Sequence, residues 1–217
     1  MQVLFAGSKG REFFSGKGPS SGTAEIPYRS KPTPTLISRQ EGQAWNRPFI
    51  AVFEPFTGNL NYNTERIELE DDSNSGIFTA LKVTNRDETE QLIFQSLDRE
   101  IYNKKDDWTF QGNFGIIGFS KKALAYLYLG DGMEISYKNY SLKLIDENGS
   151  ANLVIDGNIL KIDCSQETVV SISSANVKKI TLITASGQRD LVYSLNEKDV
   201  SFMVPAVKDA EIKVAYR

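Results

Sequence analysis

Apolar and polar residues alternate in short runs along most of the chain, and turn-forming residues close nearly every run. Successive side chains of an extended strand point to opposite faces, so a period of two marks a strand with one buried face. The runs 66–70, 77–84, 91–97, 108–110, 114–120, 124–129 and 133–137 fit this pattern, as does 35–40. Residues 88–96 read better as strand than as helix, because Leu92-Ile93-Phe94 carries no 3.6-residue period. Residues 49–54 are continuously apolar up to Glu54, which predicts a strand covered on both faces and therefore central. Gly130-Asp131-Gly132 predicts a tight hairpin, since two glycines supply positive φ cheaply.

Beyond Ser141 the runs shorten and space evenly: 142–146, 152–155, 159–164, 168–173, 179–184, 191–195, 202–204 and 211–216. Asp156-Gly157-Asn158 and Ser186-Gly187-Gln188 punctuate them, at the spacing of about 8–12 residues typical of sandwiches and barrels. The first 34 residues contrast with this. Short strands are expected at 3–5 and 11–14, but Gly16, Gly18, Pro19, Gly22, Pro27, Pro32 and Pro34 predict a long loop between 16 and 34. The expected fold is all-β: a large antiparallel β-sandwich over 1–140 with a long N-terminal loop, then a small antiparallel β-sandwich over 141–217.

Composition narrows the chemistry. The 217 residues contain no histidine, which removes Ser-His-Asp and Cys-His catalysis and His-ligated zinc for this chain acting alone. Net charge is −3 with acids and bases interspersed, so there is no basic stripe for nucleic acid and no basic amphipathic stretch for a membrane surface. The lone cysteine, Cys164, sits in an alternating run and reads as a buried structural thiol. The N-terminal Met1-Gln2-Val3-Leu4-Phe5 lacks a basic flank and reads as strand rather than signal peptide. No cofactor or metal is called for. Ser15-Gly16-Lys17-Gly18 fails the phosphate-loop spacing, and Asp72, Asn74 and Gly76 echo a calcium loop that lacks its closing acid.

Aromatic residues are the better candidates for function. Trp45, Phe49, Phe53, Phe56, Tyr62, Tyr102, Trp108 and Phe110 fall at loops or strand ends, where ring faces can stack on the apolar face of a sugar. Trp45, Tyr102 and Trp108 are the leading glycan-binding candidates. Tyr28-Arg29 joins them, as a phenol beside a cation: Arg29 lowers the phenol's pKa for acid–base use or neutralises a substrate carboxylate. For each of these a packing role competes with the binding role.

Arg39-Gln40, then Arg47-Pro48-Phe49 and Val52-Phe53-Glu54-Pro55, within residues 34–55, resemble a segment of the C-terminal β-sandwich of heparinase II/III-like polysaccharide lyases. The resemblance implies a supersandwich fold of the kind associated with these lyases. It also implies an α/α toroid elsewhere in the parent chain and an acidic glycan as partner. Such enzymes cleave uronic-acid polysaccharides by β-elimination, which implies a periplasmic or extracellular setting. Their catalytic tyrosine and histidine lie on the toroid, so no catalytic residue carries over to any position here. The chain then reads as a non-catalytic module that supports the toroid and lines the glycan cleft. The alternative is a freestanding carbohydrate-binding β-sandwich.

Overall fold

The computed structural model describes residues 2–5, 10–20, 22–23, 25–26, 28–41, 49–54, 62–67, 77–85, 87–146, 148–173, 176–196 and 199–217. Trp45, residues 71–76, Phe56, and Arg47, Pro48 and Pro55 of the Arg47–Pro55 motif lie outside them. The molecule is all-β, and every strand pairing is antiparallel.

Two long strands organise the fold: β9 (Trp108–Ser120) and β10 (Ala123–Tyr137), following β1 (Gln2–Phe5), β2 (Arg11–Ser20), β3 (Pro32–Gln40), β4 (Ala51–Glu54), β5 (Tyr62–Ile67), β6 (Phe78–Asn85), β7 (Thr89–Ser96) and β8 (Tyr102–Lys105). β9 and β10 pair along their whole lengths. The outer edge of β9 is shared by β8 and β7, and β6 and β5 continue beyond β7. The outer edge of β10 is likewise divided between β11 (Tyr140–Leu144) and β12 (Ser150–Asp156).

Each of these begins an arm. One runs from β12 through β13 (Ile159–Cys164), β19 (Val207–Tyr216) and β15 (Val177–Thr184) to β16 (Gly187–Asp190). The other runs from β11 through β14 (Thr168–Ser173) and β18 (Asp199–Val204) to β17 (Tyr193–Leu195). Leu153, Leu160, Ile180 and Ile212 of the first arm and Leu142, Val170, Val200 and Phe202 of the second share one buried cluster, so the arms enclose a sandwich core. That cluster extends without a gap into Phe94, Phe110, Ile117 and Leu127, and the ladder passes Ser141 unbroken.

The expected hairpin at Gly130-Asp131-Gly132 is instead the interior of β10. Asp131 takes a left-handed conformation (φ 47°) and its N–H donates to the Gly149 carbonyl, 2.8 Å away. The ladder then resumes at Gly132 opposite Gly112, with Met133 as the extra residue of a β-bulge. The inward positions step by three residues here, from Gly112 to Gly115 on β9 and from Leu129 to Gly132 on β10. A Cβ on Gly132 would stand 2.6 Å from the Gly112 Cα, so glycine permits close strand approach at a kink rather than chain reversal. For the same reason 108–110 and 114–120 form one strand, not two.

Two further expectations are corrected. Residues 16–34 are not one long loop: β2 and β3 form a two-stranded ribbon reaching Ser20 and Pro32. Pro32 and Pro34 are two apart, so both ring nitrogens face the open edge, where no N–H is needed. Residues 49–54 do not form a central strand, because among the described residues β4 pairs only with β1. Ile50 and Val52 pack on Leu81 and Val83 of β6, while Phe53 is 63% exposed on the other side.

Candidate functional site

Two tight hairpins build a polar cleft at one end of the β9–β10 ribbon. β8 turns into β9 through Asp106-Asp107, and β10 turns into β11 through Lys138-Asn139. Asp106 (φ 49°) and Lys138 (φ 53°) adopt the left-handed conformation that matches a short connection to strand twist. The tips are tied together: the Lys138 N–H donates to the Asp107 carbonyl at 2.8 Å, and Lys138 Nζ lies 3.6 Å from Asp107 Oδ2. Between them opens a cleft of about 540 Å³, lined also by Lys104, Trp108, Thr109, Ser136, Tyr140 and Ser173.

The floor is polar. The hydroxyls of Thr109 and Ser136, opposite each other in the ladder, are 2.5 Å apart and share a hydrogen bond. Asn139 Nδ2 reaches toward Ser173 Oγ at 3.5 Å. Burial, with a smaller contribution from Tyr216, pushes the Tyr140 phenol up, so it remains a neutral donor and acceptor at physiological pH. Lys104 is exposed at the mouth and makes no ion pair among the described residues. The site therefore offers hydroxyl and amide groups, one ion-paired lysine and one solvated lysine, a set suited to a polyhydroxylated ligand.

The floor continues beyond the cleft. Cross-strand register places Lys104, Thr109, Ser136, Ser141, Ser171, Ser201 and Ser194 in one row over seven strands. None is buried, and past Lys104 no side chain in the row is larger than threonine. Six inter-strand steps make it roughly 29 Å long. The row two residues away carries Tyr102, Gln111, Glu134, Lys143, Val169 and Met203, so the hydroxyls lie along the bottom of a shallow trough.

The sequence candidates are distributed unevenly around this site. Tyr102 is 53% exposed on edge strand β8 and shares the face of Lys104, so it flanks the cleft. Trp108 borders the cleft but is only 3% exposed. Its ring packs 4.6 Å from that of Phe94 and 6.4 Å from that of Phe78, and Phe110 is fully buried in the same group. The Trp108 ring therefore packs in the core at the border of the cleft. Arg29 is exposed on the 3-10 turn Tyr28–Ser30, remote in sequence from the cleft, and Tyr28 is described only through its backbone on that turn. Trp45 lies outside the described residues. Sequence reasoning missed Thr109, Ser136, Asn139 and Ser173, although Lys138-Asn139 between two Tyr/Ser-flanked strands was a readable hairpin signal.

A second cleft of about 410 Å³ lies beside edge strand β16, between Leu182, Arg189, Pro205 and Val207.

Residues 66–155 match the family described as the endo-acting ulvan lyase C-terminal domain. An endo-acting ulvan lyase from Formosa agariphila is 35% identical over 135 residues, which is 61% of this chain and 16% of that protein. The chain thus spans a small fraction of the relative that it matches, and the similarity is to a C-terminal domain of a polysaccharide lyase. No solved structure matches the chain. The matched segment contains β6 to β11 and all of the hairpin-tip cleft except Ser173.

Proposed function

We propose that the chain is a non-catalytic C-terminal β-sandwich region of a polysaccharide lyase that supports the catalytic domain and contacts the glycan. The match of residues 66–155 to a lyase C-terminal domain carries this reading. The absence of histidine from the sequence supports the non-catalytic part, because the chain has no side chain that titrates near neutrality without a perturbed pKa. The finer reading is a heparinase II/III-like parent with an α/α toroid, acting on an acidic polysaccharide of the ulvan kind in the periplasm or outside the cell. In that parent, residues 1–140 form the sandwich region nearest the toroid, and 141–217 form a small terminal sandwich grown from the β9–β10 ribbon.

The hairpin-tip cleft favours a second reading, a freestanding carbohydrate-binding sandwich, because its hydroxyl-lined floor and exposed Tyr102 are complete within this chain. Incubating the purified chain with ulvan and following formation of unsaturated sugar ends tests the non-catalytic assignment. No product is expected, and time-dependent product abolished by no contaminant control would overturn it. The mass of the native polypeptide in its source cells separates the two readings: a protein several times heavier than 24.3 kDa supports the lyase module, and one of that mass supports the freestanding binder.

A further inference from the structure

Resting on that glycan reading, we propose that the hairpin-tip cleft is a subsite for a single anionic sugar unit, whose carboxylate or sulfate is held by Lys104. Lys138 is matched by Asp107, and Glu134, one row away, is matched by Lys143 at 3.7 Å. Asp106 is exposed at the hairpin tip, and Lys105 alternates away from the cleft row. Lys104 is left as the cation that stands in register with the Thr109–Ser136 hydroxyl pair.

An ammonium group beside hydroxyl and amide donors is the arrangement that recognises one anionic group on a hydroxyl-rich molecule. The carboxylates of Asp106 and Asp107 keep the surround near neutral, so a free polyanion gains little from general attraction. The cleft therefore selects a charged group attached to a sugar ring that also satisfies the Thr109, Ser136 and Asn139 groups. Its volume of about 540 Å³ falls within the ordinary range for small-ligand sites. The row Ser141, Ser171, Ser201 leads away from this end and gives the flanking sugars a path free of bulky side chains.

The test is calorimetric titration of the whole chain with ulvan oligosaccharides, heparin oligosaccharides, desulfated heparin, oligogalacturonate and a neutral cello-oligosaccharide. The native chain is expected to bind at least one anionic series and to bind the neutral one weakly. Binding only the sulfated probes assigns a sulfate to Lys104, and binding oligogalacturonate assigns a carboxylate. Lys104→Gln should weaken the anionic ligand about ten-fold, while Lys104→Arg retains most of the affinity. Thr109→Val together with Ser136→Ala should weaken it further, and Lys179→Gln on the far arm should change nothing. Because Lys104 is exposed, its variants keep the native melting temperature, which checks the fold. Unchanged affinity in Lys104→Gln, in a chain that binds glycan, overturns the subsite and leaves the glycan reading standing. Failure of the native chain to bind any of the five probes overturns the glycan-contact reading and the subsite with it.

Discussion

The Tyr126 hydroxyl lies 2.6 Å from Nε2 of Gln91, although a whole strand separates the two residues. Gln91, Gly118 and Tyr126 stand side by side in the ladders of β7, β9 and β10. With no side chain on Gly118, the Tyr126 ring lies down over the middle strand and spans it. A Cβ at Gly118 would collide with that ring. One glycine, one phenol and one amide thus lock three strands together on the face opposite the core.

Gly118→Ala should therefore force Tyr126 off its path and break the bond to Gln91, costing about 1–3 kcal/mol. Tyr126→Phe keeps the packing and should cost about 1 kcal/mol. In the Tyr126→Ala background the Gly118→Ala penalty should largely vanish, because the colliding ring is gone. Urea unfolding of the four proteins measures this coupling, and simple additivity would show that the ring does not depend on the glycine.

The same phenol makes stability sensitive to alkali. Burial pushes Tyr126 up, with Gln91 partly opposing, and burial also raises Tyr140 and the Cys164 thiol. Each group binds its proton more tightly folded than unfolded. Their contribution is full below the ordinary unfolded values, roughly pH 8.5 for the thiol and 10 for the phenols, and is lost as pH rises through the folded values. Unfolding free energy should thus decline above about pH 9, and Tyr126→Phe with Cys164→Ala should flatten that decline relative to the native chain. A native curve that stays level to pH 11 would contradict the assignment.

Trp108 and Tyr102 lie on adjoining strands and should behave oppositely. Trp108 shares its aromatic cluster with Phe78, Phe94 and Phe110, so Trp108→Ala should cost about 3–5 kcal/mol of stability. Tyr102→Ala should fall within about 0.5 kcal/mol of the native chain, being exposed on an edge strand. Of these two variants, only Tyr102→Ala should lower glycan affinity without lowering stability, as paired melting and titration experiments will show.

The strands were legible because one-sided burial writes a period of two into the sequence, and 159–164 and 168–173 match the observed strands residue for residue. What defeated the sequence was glycine and proline, whose local meaning depends on the neighbouring strand. Gly130 and Gly132 have the same composition in a hairpin as in a kinked strand, and only the approach of Gly112 distinguishes the two. Pro32 and Pro34 break a central strand but not an open ribbon. The site was less legible for a related reason. Tyr102 stands exposed on β8, whereas the row from Thr109 to Ser194 is assembled by register across strands and no local motif encodes it. The burial of Trp108 was not legible because a large ring at a strand end reads the same whether it faces core or solvent.

Binding of ulvan by the purified chain is the measurement that bears most on the proposed glycan-contacting, non-catalytic role. Titration should show saturable binding that weakens at high salt and with Lys104→Gln, with no unsaturated product formed over the same period. The absence of binding to ulvan and to shorter acidic oligosaccharides, or cleavage of ulvan by the chain alone, would contradict it.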